Sequence, residues 1–350
     1  MDRRRSRSLG LLTLVGAAAG FAAALAAPSP DQPPDRSPDR PPLRAANWLA
    51  ASADPVQALG FTRPECFKRP KGAQAAYLAE VGRAAFRTPL VLGGQAARAG
   101  VTCETCHQGG RRNPDFQFPG LSGAPGTADV TSSLFSSHRD DGIDNPKPIP
   151  DLGGPKSALK ISQAPKDRAL EPFIHGLVTE EFDGAEPPPA VLAGLAAYVR
   201  ALSPDACPAE ALRPLHVQDL MAEARRAAHA ADLALQRRDP ETAVLMIGSA
   251  RTELGLINER YDAPELAPTR AALRAADLEL AAVAEAIRRR DQRPATPPEA
   301  LMAVWFEGAT ALEARLVREE PKSLFNPARL AGYARRAGSS GASGGAPSRS

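Results

Sequence analysis

The sequence predicts an all-α protein built as two helical segments in succession. Apolar residues recur at three- and four-residue intervals through 74–86, 191–202 and most of 212–336, which is the spacing of one helix face. Alanine is abundant while aromatic residues make up only 5% of the chain, a composition suited to helices packed closely by small side chains. Helix-start signals precede several of the periodic stretches.

At the N-terminus, Arg3, Arg4, Arg5 and Arg7 form a positive region, 9–25 an apolar stretch rich in Ala and Leu, and Ala24-Leu25-Ala26 an A-x-A-like cleavage site. Residues 1–26 therefore read as a secretory signal peptide, because the stretch is short and alanine-rich for a stable membrane span. The expected compartment is the bacterial periplasm, with no stable span left after cleavage. Removing those residues takes away four arginines and one aspartate and leaves 39 basic and 39 acidic side chains. A balance near zero gives no support for nucleic-acid binding, so docking to a partner protein would rely on a local patch.

Residues 27–45 are dominated by Pro, Asp and Arg and read as an extended, disordered linker; 337–350 are a Gly/Ser tail of the same kind. Between them the composition changes near Pro204 to Pro214, which separates a first folded segment, 46–208, from a second, 212–336.

The first segment carries the chemistry in Cys103-Glu104-Thr105-Cys106-His107. Two thiols at this spacing reach the two vinyl groups of a haem, and the histidine that follows lies beneath the iron as its proximal ligand. A redox-active dithiol would call for a strand-to-helix context, whereas Gly100-Val101 lead in from an alanine-rich helix and Gly109-Gly110 break the chain just after. A zinc site would call for further ligands at close spacing, and Cys66 and Cys207 are isolated in sequence. The motif therefore reads as covalent attachment of one haem c through Cys103 and Cys106, with His107 on the iron.

The helices that flank this motif resemble those of class I cytochrome c. Before it, Tyr77, Val81 and Ala85 share one side of a helix over 74–86 that also holds Gly82 and Phe86; after it, Leu192, Leu195, Val199 and Leu202 fall at helical spacing around Tyr198. The resemblance implies that the two helices cross at a glycine contact near the haem edge, with Tyr198 packed at the crossing. A more specific resemblance, over 81–202 and about a third of the chain, is to the bacterial di-haem cytochrome c peroxidase and MauG-like family. It rests on Gly82-Arg83-Ala84-Ala85-Phe86, the haem motif, Leu170-Glu171-Pro172-Phe173-Ile174, Phe182-Asp183-Gly184 and the Tyr198 helix. The family uses two covalently bound haems, and this chain has one motif. Where the family carries Tyr or Met followed by His-Asp-Gly, this chain reads Ser162-Gln163-Ala164-Pro165-Lys166-Asp167-Arg168, so the resemblance alone does not imply peroxidase chemistry.

The distal side of the iron decides between functions. No methionine lies between Cys106 and Leu202; Met221, Met246 and Met302 belong to the second segment. Two histidines remain as candidates for the distal iron position. His138 sits in a polar turn-rich stretch, with an exposed loop histidine as its ordinary alternative. His175 sits beside Leu170, Ile174 and Leu177, where a histidine satisfied by local hydrogen bonds is ordinary too. A vacant, water-bound or lysine-bound iron is the third option. Calcium is a weaker cofactor reading of Asp140-Asp141-Gly142-Ile143-Asp144-Asn145, whose spacing does not match an EF-hand and better suits a solvated turn. The two remaining thiols, Cys66 and Cys207, flank the segment, and in an oxidising compartment they are expected to form a disulfide.

The second segment reads as an antiparallel four-helix bundle with stripes through Leu220 to Leu235, Ile247 to Ile257, Leu273 to Ile287 and Leu301 to Leu316. Asp239-Pro240 and Thr296-Pro297-Pro298-Glu299 supply N-terminal caps. The exposed Arg and Glu residues on its helices read as a solvated surface, and His216 and His229 are too few for a metal centre. The bundle is expected to serve packing or the docking of a periplasmic redox partner. The sequence thus favours a periplasmic monohaem electron-transfer protein, with a peroxidase- or MauG-like oxidoreductase acting at an open distal haem face as the alternative; a haem sensor signalling through the bundle has no output motif to support it.

Overall fold

The helical spacing of the sequence is carried into a mostly helical structure. The computed structural model describes residues 43–131, 134–139, 142–155, 159–209, 212–289 and 296–341, with side chains as far as residue 335. Residues 1–42, where a signal peptide and the start of a linker are expected, Asp140 and Asp141, and residues 342–350 lie outside the described residues. Eleven α-helices occur among the described residues: α1 (Pro55–Gly60), α2 (Ala73–Arg87), α3 (Gly94–Ala99), α4 (Cys103–Cys106), α5 (Leu170–Gly176), α6 (Pro189–Ala201), α7 (Val217–Gln236), α8 (Pro240–Arg260), α9 (Ala267–Arg288), α10 (Pro298–Glu319) and α11 (Pro327–Gly341). Four two-residue strands pair antiparallel, β1 (Phe61–Thr62) with β4 (Arg213–Pro214) and β2 (Thr127–Ala128) with β3 (Lys147–Pro148).

Helices α2 and α6 are packed against each other through glycine. A Cβ at Gly82 would lie 1.8 Å from the Gly194 carbonyl oxygen, and one at Gly194 would lie 2.8 Å from the Leu78 oxygen, so only hydrogen at both positions permits this backbone approach. Tyr77, Val81 and Phe86 of α2 and Leu195, Tyr198 and Val199 of α6 are buried around the crossing. Chain segments on either side are tied together. Lys68 N donates to Ala201 O, Ser203 N donates to Cys66 O, and Cys66 and Cys207 form a disulfide across 141 residues.

Alanine sets the spacing of the second half. Ala224, Ala227, Ala228, Ala231 and Ala234 of α7 are buried, which lets α8 pack closely along it through Met246, Ile247, Ala250, Leu254 and Ile257. Asp239 Oδ1 accepts from Thr242 N at 3.0 Å and Pro240 occupies the first helical turn, which starts α8 where the sequence places it. Helix α8 packs on α9, α9 on α10, and α10 back on α7, closing a four-helix ring around Leu280, Trp305 and Leu316. The start of α10 departs from expectation. Pro297 is its N-cap with no side-chain cap bond, so the Thr296 capping box is not formed; the two prolines set the entry by their fixed φ instead.

Three further features differ from the sequence reading. Residues 43–45, assigned to the linker, belong to the fold: Leu43 is buried and Arg44–Trp48 forms a 3-10 turn. Helix α11 adds a fifth element after the ring and continues to Gly341, into the stretch assigned to the tail; its Leu330 forms a small core with Leu43 and Leu59. The two segments separated near Pro204 share one hydrophobic core, because α2 packs on α7 and α8 as well as on α6. Ser249 Oγ of α8 donates to Ala84 O of α2 at 2.8 Å inside that shared core.

Candidate cofactor-attachment site

The pentapeptide begins as one capped turn of helix. Thr102 Oγ1 accepts from Thr105 N at 3.1 Å while Thr105 Oγ1 accepts from Thr102 N at 3.0 Å, a reciprocal capping box that fixes the start of α4. The turn ends in Gly109 and Gly110, both at positive φ, and a Cβ on Gly109 would lie 2.7 Å from Arg63 O. The glycine pair is therefore demanded by backbone geometry. Its carbonyls are used: Gly109 O accepts from Cys66 N, and Gly110 O accepts from Gly153 N at 2.7 Å.

That second bond brings the 149–154 segment against the motif, and with it comes a contact that orients the His107 ring. His107 Nδ1 lies 3.0 Å from Pro150 O. A carbonyl oxygen only accepts, so Nδ1 carries the proton and Nε2 keeps its lone pair. Burial, opposed by the Pro150 bond and by Asp151, pushes His107 down to about 4, so the imidazole is neutral near pH 7. Cys103 and Cys106 are not bonded to each other, and burial pushes both thiols up to about 12. All three side chains remain half-buried, accessible on one side and surrounded by enough protein to disfavour charge. The donor set is two unpaired thiols and one neutral imidazole whose orientation a second contact fixes.

Aromatic rings link this turn to the helix crossing. Phe86 stands 6.3 Å from His107 and 5.0 Å from Tyr198, centroid to centroid, and Tyr198 is 5.7 Å from Phe67. On the other side, Cys103 and Cys106 pack against a second cluster containing Trp48, Leu92, Val101, Phe116, Phe135 and Phe182.

Behind α4 lies a buried ionic cluster that sequence reasoning missed. Arg83 reaches Glu65 and Glu223, each at 2.8 Å, and Arg87 reaches Glu65 at 3.0 Å, Glu104 at 3.5 Å and Glu223 at 3.9 Å. Tyr198 Oη donates to Glu65. Burial alone would raise Glu65, but Arg87 and Arg83 outweigh it and hold the carboxyl below its ordinary value. Glu104 differs: burial, opposed by Arg87 and by the Gly109 N–H that donates to Oε1, pushes it up to about 7. Glu253 on α8 is 3% exposed, and burial with the neighbouring Glu223 pushes it up to about 8. Not all of the bundle's charges lie on the solvated surface expected of the exposed ones: Glu253 is buried, Glu223 is largely enclosed, and Arg260 is buried and donates to Leu59 O at 2.7 Å. The one available signal was the pairing of Arg83 with Arg87 on a helix otherwise used for packing.

The two candidate distal histidines make their contacts elsewhere. His138 Nδ1 lies 2.9 Å from Asp183 Oδ1, within a loop where Asp183 also accepts from Ser137 N and Ser137 Oγ. His175 Nε2 lies 2.7 Å from Glu186 Oε2. His216 caps α7 together with Glu320. No cluster of three or more His, Cys, Asp or Glu suited to a metal ion occurs among the described residues, and Asp140 and Asp141 of the calcium reading fall outside them. No helix among the described residues is long and apolar enough to cross a membrane. Comparison with known proteins finds no matching family model, no matching curated protein and no matching solved structure.

Proposed function

We propose that the protein is a monohaem c-type cytochrome of the bacterial periplasm that transfers electrons between redox partners. One observation carries the reading: two unpaired thiols and a neutral histidine share one capped turn, and that histidine is held by Nδ1 on Pro150 O so that Nε2 is the free nitrogen. Cys103 and Cys106 would form the thioethers, and His107 Nε2 would be the proximal ligand. A haem held in this way supplies a one-electron ferrous–ferric couple. The protein's own contribution is orientation and enclosure. Pro150 fixes the imidazole plane, Phe86 packs beside it, and the Gly82–Gly194 crossing holds α2 and α6 close behind. This crossing and the order of helices around the motif support the class I cytochrome c-like reading of the first segment.

The second reading is a peroxidase- or MauG-like oxidoreductase with an open distal face. It is favoured by one fact: no methionine lies between Cys106 and Leu202 to supply the thioether typical of a carrier. Optical spectra of the oxidised and reduced haem-loaded protein, with and without carbon monoxide and peroxide, separate the two. The carrier reading expects a six-coordinate spectrum indifferent to both ligands; rapid peroxide turnover with a reduced donor would overturn it. The α7–α10 ring is proposed as the surface on which a periplasmic redox partner docks.

A further inference from the structure

A cavity of about 260 Å³ lies behind α4, between the 43–62 segment and helices α7 and α8. Its apolar wall includes Trp48, Leu49, Leu220 and Leu256, and its charged wall includes Glu104, Glu223, Glu253 and Arg87. Across this wall the cations are already engaged. Arg87 is shared among Glu65, Glu104 and Glu223; Arg44 is bonded to Glu259; Arg260 donates to backbone carbonyls. Glu253 has no such partner. It is 3% exposed, borders the cavity, and its buried Oε2 makes no hydrogen bond. The four carboxyls Glu65, Glu104, Glu223 and Glu253 face three guanidiniums, Arg83, Arg87 and Arg226, and all of these ion pairs go to Glu65, Glu104 and Glu223, which leaves Glu253 the carboxyl of the four without one.

An unpartnered buried carboxyl is costly unless it is protonated or meets a cation. A metal ion is a poor match, because no three-ligand cluster is present among the described residues. A carboxyl that shares a cavity with an indole ring and leucine side chains is instead the chemistry that recognises an organic cation: charge pairing at the head, cation–π attraction from the ring, and apolar contact along the tail.

We propose that this cavity is a binding site for a small organic monocation, an alkylammonium or guanidinium compound with a short apolar tail, whose charged head pairs with Glu253 while Trp48, Leu220 and Leu256 cover the rest. The proposal does not rest on the haem reading, since none of its residues is Cys103, Cys106 or His107.

The test is calorimetric titration of the full chain with n-butylammonium chloride, with butan-1-ol and sodium chloride as controls. Saturable one-to-one binding is expected for butylammonium and for neither control. Glu253→Gln keeps the shape but cannot ionise to meet the cation, and should weaken binding by about tenfold to a hundredfold, the range of one charge-assisted hydrogen bond. Leu256→Phe should block it by filling the cavity while Glu253 remains. Cooperative thermal unfolding of both variants establishes that they are folded. Absence of saturable binding by the unaltered protein overturns the proposal, as does equal binding by Glu253→Gln, equal binding of butan-1-ol, or an equal response to sodium.

Discussion

Gly82→Ala is the sharpest perturbation of the helix crossing that supports the proposed site. The added Cβ would lie 1.8 Å from Gly194 O, 2.2 Å from Gly194 C and 2.7 Å from Leu195 N, all backbone atoms that no rotamer change can move. Ordinary contact at about 3.4 Å or more requires α2 and α6 to separate by roughly 1.5 Å. Overpacking of this kind costs about 1–3 kcal/mol and sometimes more, and the rigid neighbour puts this case at the upper end. Alanine in a helix interior returns about 1 kcal/mol. The expected net loss is therefore about 2 kcal/mol. Gly176→Ala is the matched control, because its Cβ meets nothing within 4 Å in a helical conformation; it should be neutral or stabilising by up to about 1 kcal/mol. Urea unfolding followed by circular dichroism measures both, read as a lower midpoint at unchanged slope for Gly82→Ala. If Gly82→Ala is as stable as Gly176→Ala, the close crossing is not a feature of this fold.

Three other outcomes follow from the same structure. Glu253 and Glu104 have folded values raised above the ordinary carboxyl range, to about 8 and about 7, by burial first; Glu223 adds to the shift of Glu253, and Glu65 and Glu223 to that of Glu104, against the pull of Arg87. Stability contributed by the protonated forms is then complete below the ordinary carboxyl value and is lost as pH rises through about 7 to 8, so unfolding free energy should fall across that window, and Glu253→Gln should flatten the fall. Replacing Cys66 and Cys207 by serine opens a 141-residue loop and should lower stability by up to about 5 kcal/mol, measured by urea unfolding against the non-reduced parent. Tyr198→Phe removes the donor to the buried Glu65 and should cost about 1–3 kcal/mol, read the same way.

The parts of this fold legible from sequence are those written in local periodicity. The stripes through Val81 and through Leu195 locate α2 and α6 to within a residue or two, and Asp239-Pro240 marks the start of α8, because caps and helical faces depend on near neighbours in the chain. Helix α11 escaped because a single buried leucine, Leu330, gives no stripe. The features around the candidate site depend on long-range partners. Pro150 acts on His107 through a backbone carbonyl 43 residues away, a group that every residue possesses and that no side-chain pattern announces. Glu253 looks like any charged position of an amphipathic helix, and its burial arises where α8 packs against other elements, α7 and α2 among them. The ionic cluster behind α4 thus came from tertiary contact between segments that the sequence reads separately.

The central claim concerns what Cys103, Cys106 and His107 hold. The most direct measurement is the intact mass and pyridine haemochrome spectrum of the chain exported to the periplasm of a host that matures c-type cytochromes, beside a Cys103→Ser/Cys106→Ser variant. The account predicts one covalently bound haem per chain, with a two-thioether spectrum, and none on the variant. A folded, exported chain carrying no haem, with Cys103 and Cys106 recovered as free thiols or joined to each other, would contradict it.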